Sequence, residues 1–154
     1  MQAKHGFLPV WSGFYMETNK HEHLLRGHGV RPTALRLLIV KGIEDFGAPF
    51  SLDELYRHFA TIDRSTIFRA LTLFEEKNLL HSFEDGSGKR KYCFSQAHGH
   101  HGGSTHHIHA TCRVCGRTFC VAPQSPPVVD APDGFCVENV DFIITGVCSS
   151  CLNR

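Results

Sequence analysis

Apolar residues recur at helical spacing from Lys20 to about Leu80, and the period then changes to that of a strand. Residues 20–27 predict a short helix. Pro32 and Thr33 open a second, since proline suits a first turn, with Leu35, Leu38, Ile39, Gly42, Ile43 and Phe46 as its buried stripe. Gly47-Ala48-Pro49 ends it. Ser51-Leu52-Asp53-Glu54 is a capping box for a third helix that turns Leu52, Leu55, Tyr56 and Phe59 inward. A fourth starts near Asp63 to Ser65, buries Ile67, Leu71, Phe74 and Leu79, and stops near Asn78. Strand-like residues 80–84 and 89–94 then flank Asp85-Gly86-Ser87-Gly88, a hairpin turn signal. Helices followed by a two-stranded wing predict a winged helix-turn-helix over residues 20–95.

The flanking segments read differently. Residues 1–19 hold scattered apolar side chains without a period and are expected to form an arm or a packing strap. Residues 96–105 are a Gly/His/Ser linker. Beyond it, strands are expected over 106–112, 117–121 and 137–145, with Pro123, Pro126, Pro127 and Pro132 breaking the chain between the last two. The fold class is therefore α+β: a winged-helix domain followed by a small C-terminal domain over 106–154.

Composition narrows the functional classes. Hydrophobic residues are 42% of the 154, an ordinary fraction, and no run reaches the roughly 20 apolar residues of a membrane span. The N-terminus lacks the apolar core and cleavage site of a signal peptide, which implies a cytoplasmic location. The formal net charge is +1, so any contact with DNA must come from charges gathered on one face.

The chain carries 7 cysteines and 12 histidines, and half of those histidines fall between His98 and His109. An odd cysteine count with two CxxC pairs favours metal over disulfides. Cys112-Arg113-Val114-Cys115-Gly116 and Cys148-Ser149-Ser150-Cys151 form two knuckles. Each CxxC turn brings two thiolates to one ion, and two turns complete a closed tetrahedral zinc site of structural type. Zinc ribbons occur in many proteins, so this site alone names no function.

Four motifs in order resemble the ferric-uptake regulator family over about residues 22–154. Val30-Arg31-Pro32-Thr33 with Arg36 is similar to its first DNA-domain signature. Ser65-Thr66-Ile67-Phe68-Arg69-Ala70-Leu71, with Leu73-Phe74-Glu75-Glu76 and Leu79, resembles its recognition helix. His107-Ile108-His109 with the first knuckle resembles its metal core, and Gly146-Val147-Cys148 with Cys151 its closing knuckle. The resemblance implies a dimeric metal-sensing repressor with a C-terminal dimerisation domain. There are departures: Phe68 stands where the family usually has tyrosine, Leu35 where glutamine is common, and the Pro-rich stretch near 123–134 replaces a helix.

By position, the resemblance implies a regulatory metal held by His81, Cys93, His107 and His109, with Cys120 a candidate to replace one of the histidines. A thiolate with neutral imidazoles suits zinc, and Cys93 stands where iron sensors carry a carboxylate, as in the zinc-uptake regulators. The family's further metal site is broken here by Ile108 and Val140. One structural and one regulatory Zn2+ per chain are expected. His98, His100 and His101 read as linker residues, and His5, His21, His23, His28 and His58 as surface residues.

In the fourth helix, residues 64–69 would enter the major groove. Arg69 can fork onto guanine, Ser65, Thr66 and Phe68 lie on the same turns, and Arg64, Arg31 and Lys41 can hold phosphates. Lys89, Arg90 and Lys91 give the wing a basic tip.

The reading is a zinc-responsive repressor that binds operator DNA as a homodimer, with no membrane partner. Within the family the alternative is an iron or peroxide sensor. From another class it is a zinc-ribbon redox protein or enzyme, with Cys120 and Cys136 as the redox candidates; no nucleophile–base set or phosphate loop supports catalysis.

Overall fold

A computed structural model describes residues 20–94, 108–121, 127–138 and 140–153. The expected arm, the whole of the linker, His106 and His107 lie outside the described residues. Helix α1 covers residues 20–27 and closes on Gly29, whose φ of 68° suits glycine. Helix α2, Ala34–Phe46, is capped by Thr33, whose hydroxyl accepts from the Arg36 amide, and ends at Gly47 with φ 57°. Pro32 thus sits just outside the helix.

A two-residue strand that sequence reading missed, β1 (Phe50–Ser51), leads into helix α3, Leu52–His58. The Ser51/Glu54 capping box is formed in both directions. Helix α4, Arg64–Glu76, starts at Asp63, whose carboxylate accepts from the Ser65 and Thr66 amides. It is closed by Asn78 in the left-handed region, with the Leu79 amide donating back to the Phe74 carbonyl at 2.8 Å. Strands β2 (Leu80–Glu84) and β3 (Arg90–Phe94) form the wing, and β3 lies between β2 and β1.

Among the described residues, the hydrophobic cluster is built from this domain: Leu25, Val30, Ile39, Val40, Ile43, Phe50, Leu55, Ile67, Leu71, Phe74, Leu79 and Leu80 meet in it. Two expected stripes are rotated. On α2, Leu35 and Leu38 are 38% and 48% exposed and Val40 is fully buried instead. On α3, Tyr56 is 42% exposed. Helical period fixes the width of a face, and packing against neighbouring helices fixes its azimuth.

In the C-terminal part, β4 (Ile108–Cys112) pairs antiparallel with β5 (Thr118–Cys120) and parallel with β6 (Phe142–Gly146). Parallel pairing needs a long crossover, and its described part, 127–138, holds neither helix nor strand. A short helix α5, Ser149–Leu152, follows Cys148 and was not foreseen. One face of this sheet buries His109, Thr111 and Thr118 against the wing. Phe119 and Ile144 are exposed, as are Val128, Val129, Phe135 and Val137 beyond the sheet.

Gly42 of α2 lies against the ring of Phe59, just past the end of α3. A Cβ there would lie 2.2 Å from Cζ of the Phe59 ring. Gly42→Ala should therefore destabilise the domain by about 1–3 kcal/mol from overpacking, against a helix-propensity gain of roughly 1 kcal/mol. Urea denaturation of the variant, alone and with Phe59→Leu, checks this. The cost should shrink in the double variant, and a plain stabilisation by Gly42→Ala would contradict the packing.

Candidate metal centres and nucleic-acid interface

The two knuckles converge. Ligand atoms of Cys112, Cys115, Cys148 and Cys151 lie within 4.8 Å of one another. Cys115 and Cys148 sulfurs are 3.8 Å apart, close to the roughly 3.8 Å edge of a tetrahedron with zinc–sulfur bonds of about 2.3 Å. The local backbone explains the convergence. The Gly116 amide donates to the Cys112 carbonyl at 2.8 Å, with Gly116 at φ 68°, which makes the tight turn of the first knuckle. Cys148 caps α5, so the second knuckle is a helix start.

The surroundings favour thiolates. The Cys148 amide donates to the Cys112 sulfur at 3.3 Å, and this bond, helped by the Cys115 amide, brings the Cys112 pKa down to about 6. Arg117 donates to Cys115 at 3.4 Å and to Cys148 at 3.7 Å, holding the Cys115 thiol below its ordinary value. Cys151 is pushed up to about 12, chiefly by the Cys148 sulfur beside it. Four sulfurs this close cannot all ionise without a cation among them, which suits a divalent soft-to-borderline ion.

The second cluster straddles the two halves of the chain. His81 and Cys93 are cross-strand partners in the wing, and His109 is buried on β4. Their ligand atoms also lie within 4.8 Å of one another. Cys120, which faces His109 across the β4–β5 ladder, brings its sulfur to 3.1 Å from that of Cys93. The Cys120 sulfur first, and burial second, raise the Cys93 pKa. Of the expected regulatory set, the structure thus brings together His81, Cys93 and His109, with Cys120 beside Cys93; His107 lies outside the described residues. Cys136 is exposed on the crossover.

Two contacts that the sequence did not announce hold this junction. The Phe83 ring stacks on His109 with centroids 3.6 Å apart. Asp85, expected only as a turn residue, is buried and accepts from the Thr118 hydroxyl at 3.0 Å and from the Ser87 amide at 3.0 Å. Thr118 in turn pairs with Thr111 at 3.2 Å. The wing turn is thereby tied to β5.

The α4 surface is the third feature. Arg64, Ser65, Phe68 and Arg69 are exposed, Phe68 to 49%, and Thr66 is half-buried. Ser65 bonds the Asp63 carboxylate, and Arg64 pairs with Asp53 at 2.7 Å. Arg64, Phe68, Lys89 and Arg90 line one groove between α4 and the wing. Arg31 is exposed, with its carbonyl accepting from Arg36.

Two expectations are corrected. Lys91 is not part of the basic tip: it is 5% exposed and donates to Glu54 at 3.0 Å, because residue 91 shares with Cys93 the face of β3 opposite Tyr92 and pairs there with Ser51 of β1. His21 is not a surface residue: it is 4% exposed and bonded to Glu44 at 2.7 Å.

Comparisons with known proteins bear on this geometry. A family model described as the ferric uptake regulator family matches residues 27–126. A ferric uptake regulation protein of Campylobacter upsaliensis is 23% identical over 148 residues, covering 88% of each chain. One from Rhizobium leguminosarum bv. viciae is 31% identical over 85 residues, covering 51% of this chain and 60% of that one. Among solved structures, the Vibrio cholerae ferric uptake regulator aligns with a TM-score of 0.59 at 20% identity, over 82% of this chain and 98% of that one. A zinc-bound manganese uptake regulator aligns with a TM-score of 0.58 at 22% identity, over 83% and 98%.

The Asp85 junction yields a prediction. Burial raises the Asp85 pKa, but the Ser87 and Thr118 bonds and nearby Lys91 outweigh it, and the net shift is downward. A depressed folded pKa stabilises above the ordinary aspartate value of about 3.9 and loses that contribution as pH falls through the folded value. Asp85→Asn should cost about 1–3 kcal/mol at neutral pH by weakening the bonds to Thr118 and Ser87. The gap between variant and wild type, read by urea denaturation, should narrow below pH about 4. A gap independent of pH would show that the charge is not involved.

Proposed function

The chain belongs to the ferric uptake regulator family of metal-responsive transcription regulators, which are not enzymes, and on that footing we propose that it is a zinc-responsive repressor binding operator DNA as a homodimer. The observation that carries this reading is the cluster at the wing junction. A site made of His81 and Cys93 from the wing with His109 and Cys120 from the C-terminal sheet is a Cys2His2 set. Two thiolates and two imidazoles suit zinc above the harder ferrous or manganous ions. An ion held by ligands from both sides favours the arrangement in which the two sides touch, and a ligand shifts an equilibrium by its differential affinity for the two states.

The Cys112, Cys115, Cys148 and Cys151 site is the structural zinc in this reading. The C-terminal sheet contributes no member to the hydrophobic cluster among the described residues, so metal supplies stability that packing does not. The exposed apolar residues Phe119, Val128, Val129, Phe135, Val137 and Ile144 are what a second copy would cover. No described helix is long and apolar enough to cross a membrane.

For DNA, Arg69 is the base-reading side chain on α4, with Ser65, Thr66 and Phe68 beside it. Arg31, Arg64, Lys89 and Arg90 hold the backbone phosphates. Phe68 contributes apolar contact to a thymine methyl or a sugar, in keeping with its lack of a hydroxyl.

Two outcomes test this. Cys148→Ser should lose the structural zinc and unfold the C-terminal sheet while the winged-helix core stays cooperative, as read by metal analysis and amide exchange. A stable variant with full zinc would contradict the assignment. Cys93→Ala should fold, keep the structural zinc, lose the second zinc and lose zinc-stimulated DNA binding, as read by metal analysis and gel shift with and without zinc. If it retains both, Cys93 is a core residue only and the zinc-sensor reading falls.

A further inference from the structure

The mutual placement of Cys93 and Cys120 has a consequence that metal ligation does not exhaust. Their sulfurs are 3.1 Å apart, one on the wing and one on the C-terminal sheet, and no disulfide joins them. A disulfide bond is about 2.05 Å long, so closure needs a relative shift of roughly 1 Å. The Cys115 and Cys148 sulfurs at the knuckles are farther apart, at 3.8 Å. Cys93 is buried and Cys120 is half-exposed. Both line a mainly apolar cleft of about 360 Å³ whose other walls include Leu24, Val40, Ile43 and Phe50.

From these observations we infer that Cys93 and Cys120 are a reversible dithiol–disulfide couple that competes with the metal for the same site. The oxidant is a hydroperoxide. The Cys120 sulfur, the more accessible, attacks the terminal peroxide oxygen: an S–O bond forms, the O–O bond breaks, and the departing oxygen leaves protonated as water or an alcohol. The Cys93 sulfur then attacks the Cys120 sulfur: the S–S bond forms, the S–O bond breaks, and the hydroxyl leaves as water with the Cys93 proton. Two thiols give up two electrons and the hydroperoxide takes them. When the ion is bound, two protons from solvent replace it in the balance and the ion is released. A disulfide sulfur is not a thiolate, so the oxidised site keeps only His81 and His109 as ligands. A small-molecule or protein dithiol reverses the step.

The competition with metal rests on the regulatory-site reading above, whereas the cross-link itself rests on geometry alone. The full-length protein, with the wing site emptied by a mild chelator, is treated with hydrogen peroxide. Its remaining thiols are blocked, and the digest is mapped by mass spectrometry. The expected result is a linked peptide pair containing Cys93 and Cys120, lost on dithiothreitol treatment, together with loss of the second zinc-binding event and retention of the first. Cys120→Ser, which lacks the second sulfur, should yield no such pair after the same exposure.

Recovery of Cys93 and Cys120 as separate thiols, or of Cys93 linked elsewhere, would overturn the couple. Linked protein that still takes up the second zinc would overturn the competition. If the link forms and expels zinc while Cys93→Ala still answers to zinc on DNA, the sensing reading fails and the redox couple stands. If no link forms while zinc control of DNA binding is intact, the reverse holds.

Discussion

The arrangement of this molecule depends on one junction, the seam where the wing lies on the C-terminal sheet. The wing belongs to a well-packed domain whose core runs from Leu25 to Tyr92. The C-terminal sheet has no comparable core among the described residues and buries polar side chains, His109, Thr111 and Thr118, at the seam. A seam of this composition is held by directed contacts, since hydrophobic area is scarce there. Asp85 with Thr118, Phe83 on His109 and the Cys93–Cys120 sulfurs are those contacts. Each joins an element that carries the α4 helix to one that carries the cysteine knuckles.

That geometry makes the seam a natural place for a switch. Polar groups in low dielectric are stabilising when satisfied and costly when not. Two thiols and two imidazoles gathered there change their mutual interactions when a cation arrives, because it replaces thiol protons and is attracted to both sides at once. The wing end of the seam is linked to the α4 surface through Glu54, which caps α3 and also accepts from Lys91 of β3. Arg64 pairs with Asp53 of the same helix α3. The reading surface and the seam therefore share supports, and in the proposed function zinc at the seam selects the wing position that DNA requires.

Local rules were legible in the chain wherever the signal was chemical. The Ser51/Glu54 capping box, Asp63 as a helix start and the two cysteine knuckles each depend on residue type at a fixed short spacing, and each is formed. What sequence did not disclose depends on tertiary placement. The α2 stripe is turned so that Val40 replaces Leu35 and Leu38, because a helical period carries no azimuth. Lys91 looked like a wing-tip cation, but its pairing with Ser51 of β1 sets it beside Glu54, which accepts from it. Asp85 looked like a turn former, and its role as an anchor for β5 appears only once the two sheets meet. Cys120 was one of two options for completing the junction site, and the register His109 to Cys120 brings it beside Cys93.

The most direct test of the account is thermodynamic. If zinc at the seam selects the DNA-competent arrangement, then DNA must tighten zinc binding by the same factor by which zinc tightens DNA binding. The measurement is zinc affinity at the second site, by competition with a chromophoric chelator, in the presence and absence of a duplex that the zinc-loaded protein has itself selected from random sequence. The account predicts a tighter site with the duplex bound, by the factor read from DNA titrations with and without zinc. Zinc affinity unchanged by a saturating duplex would contradict it.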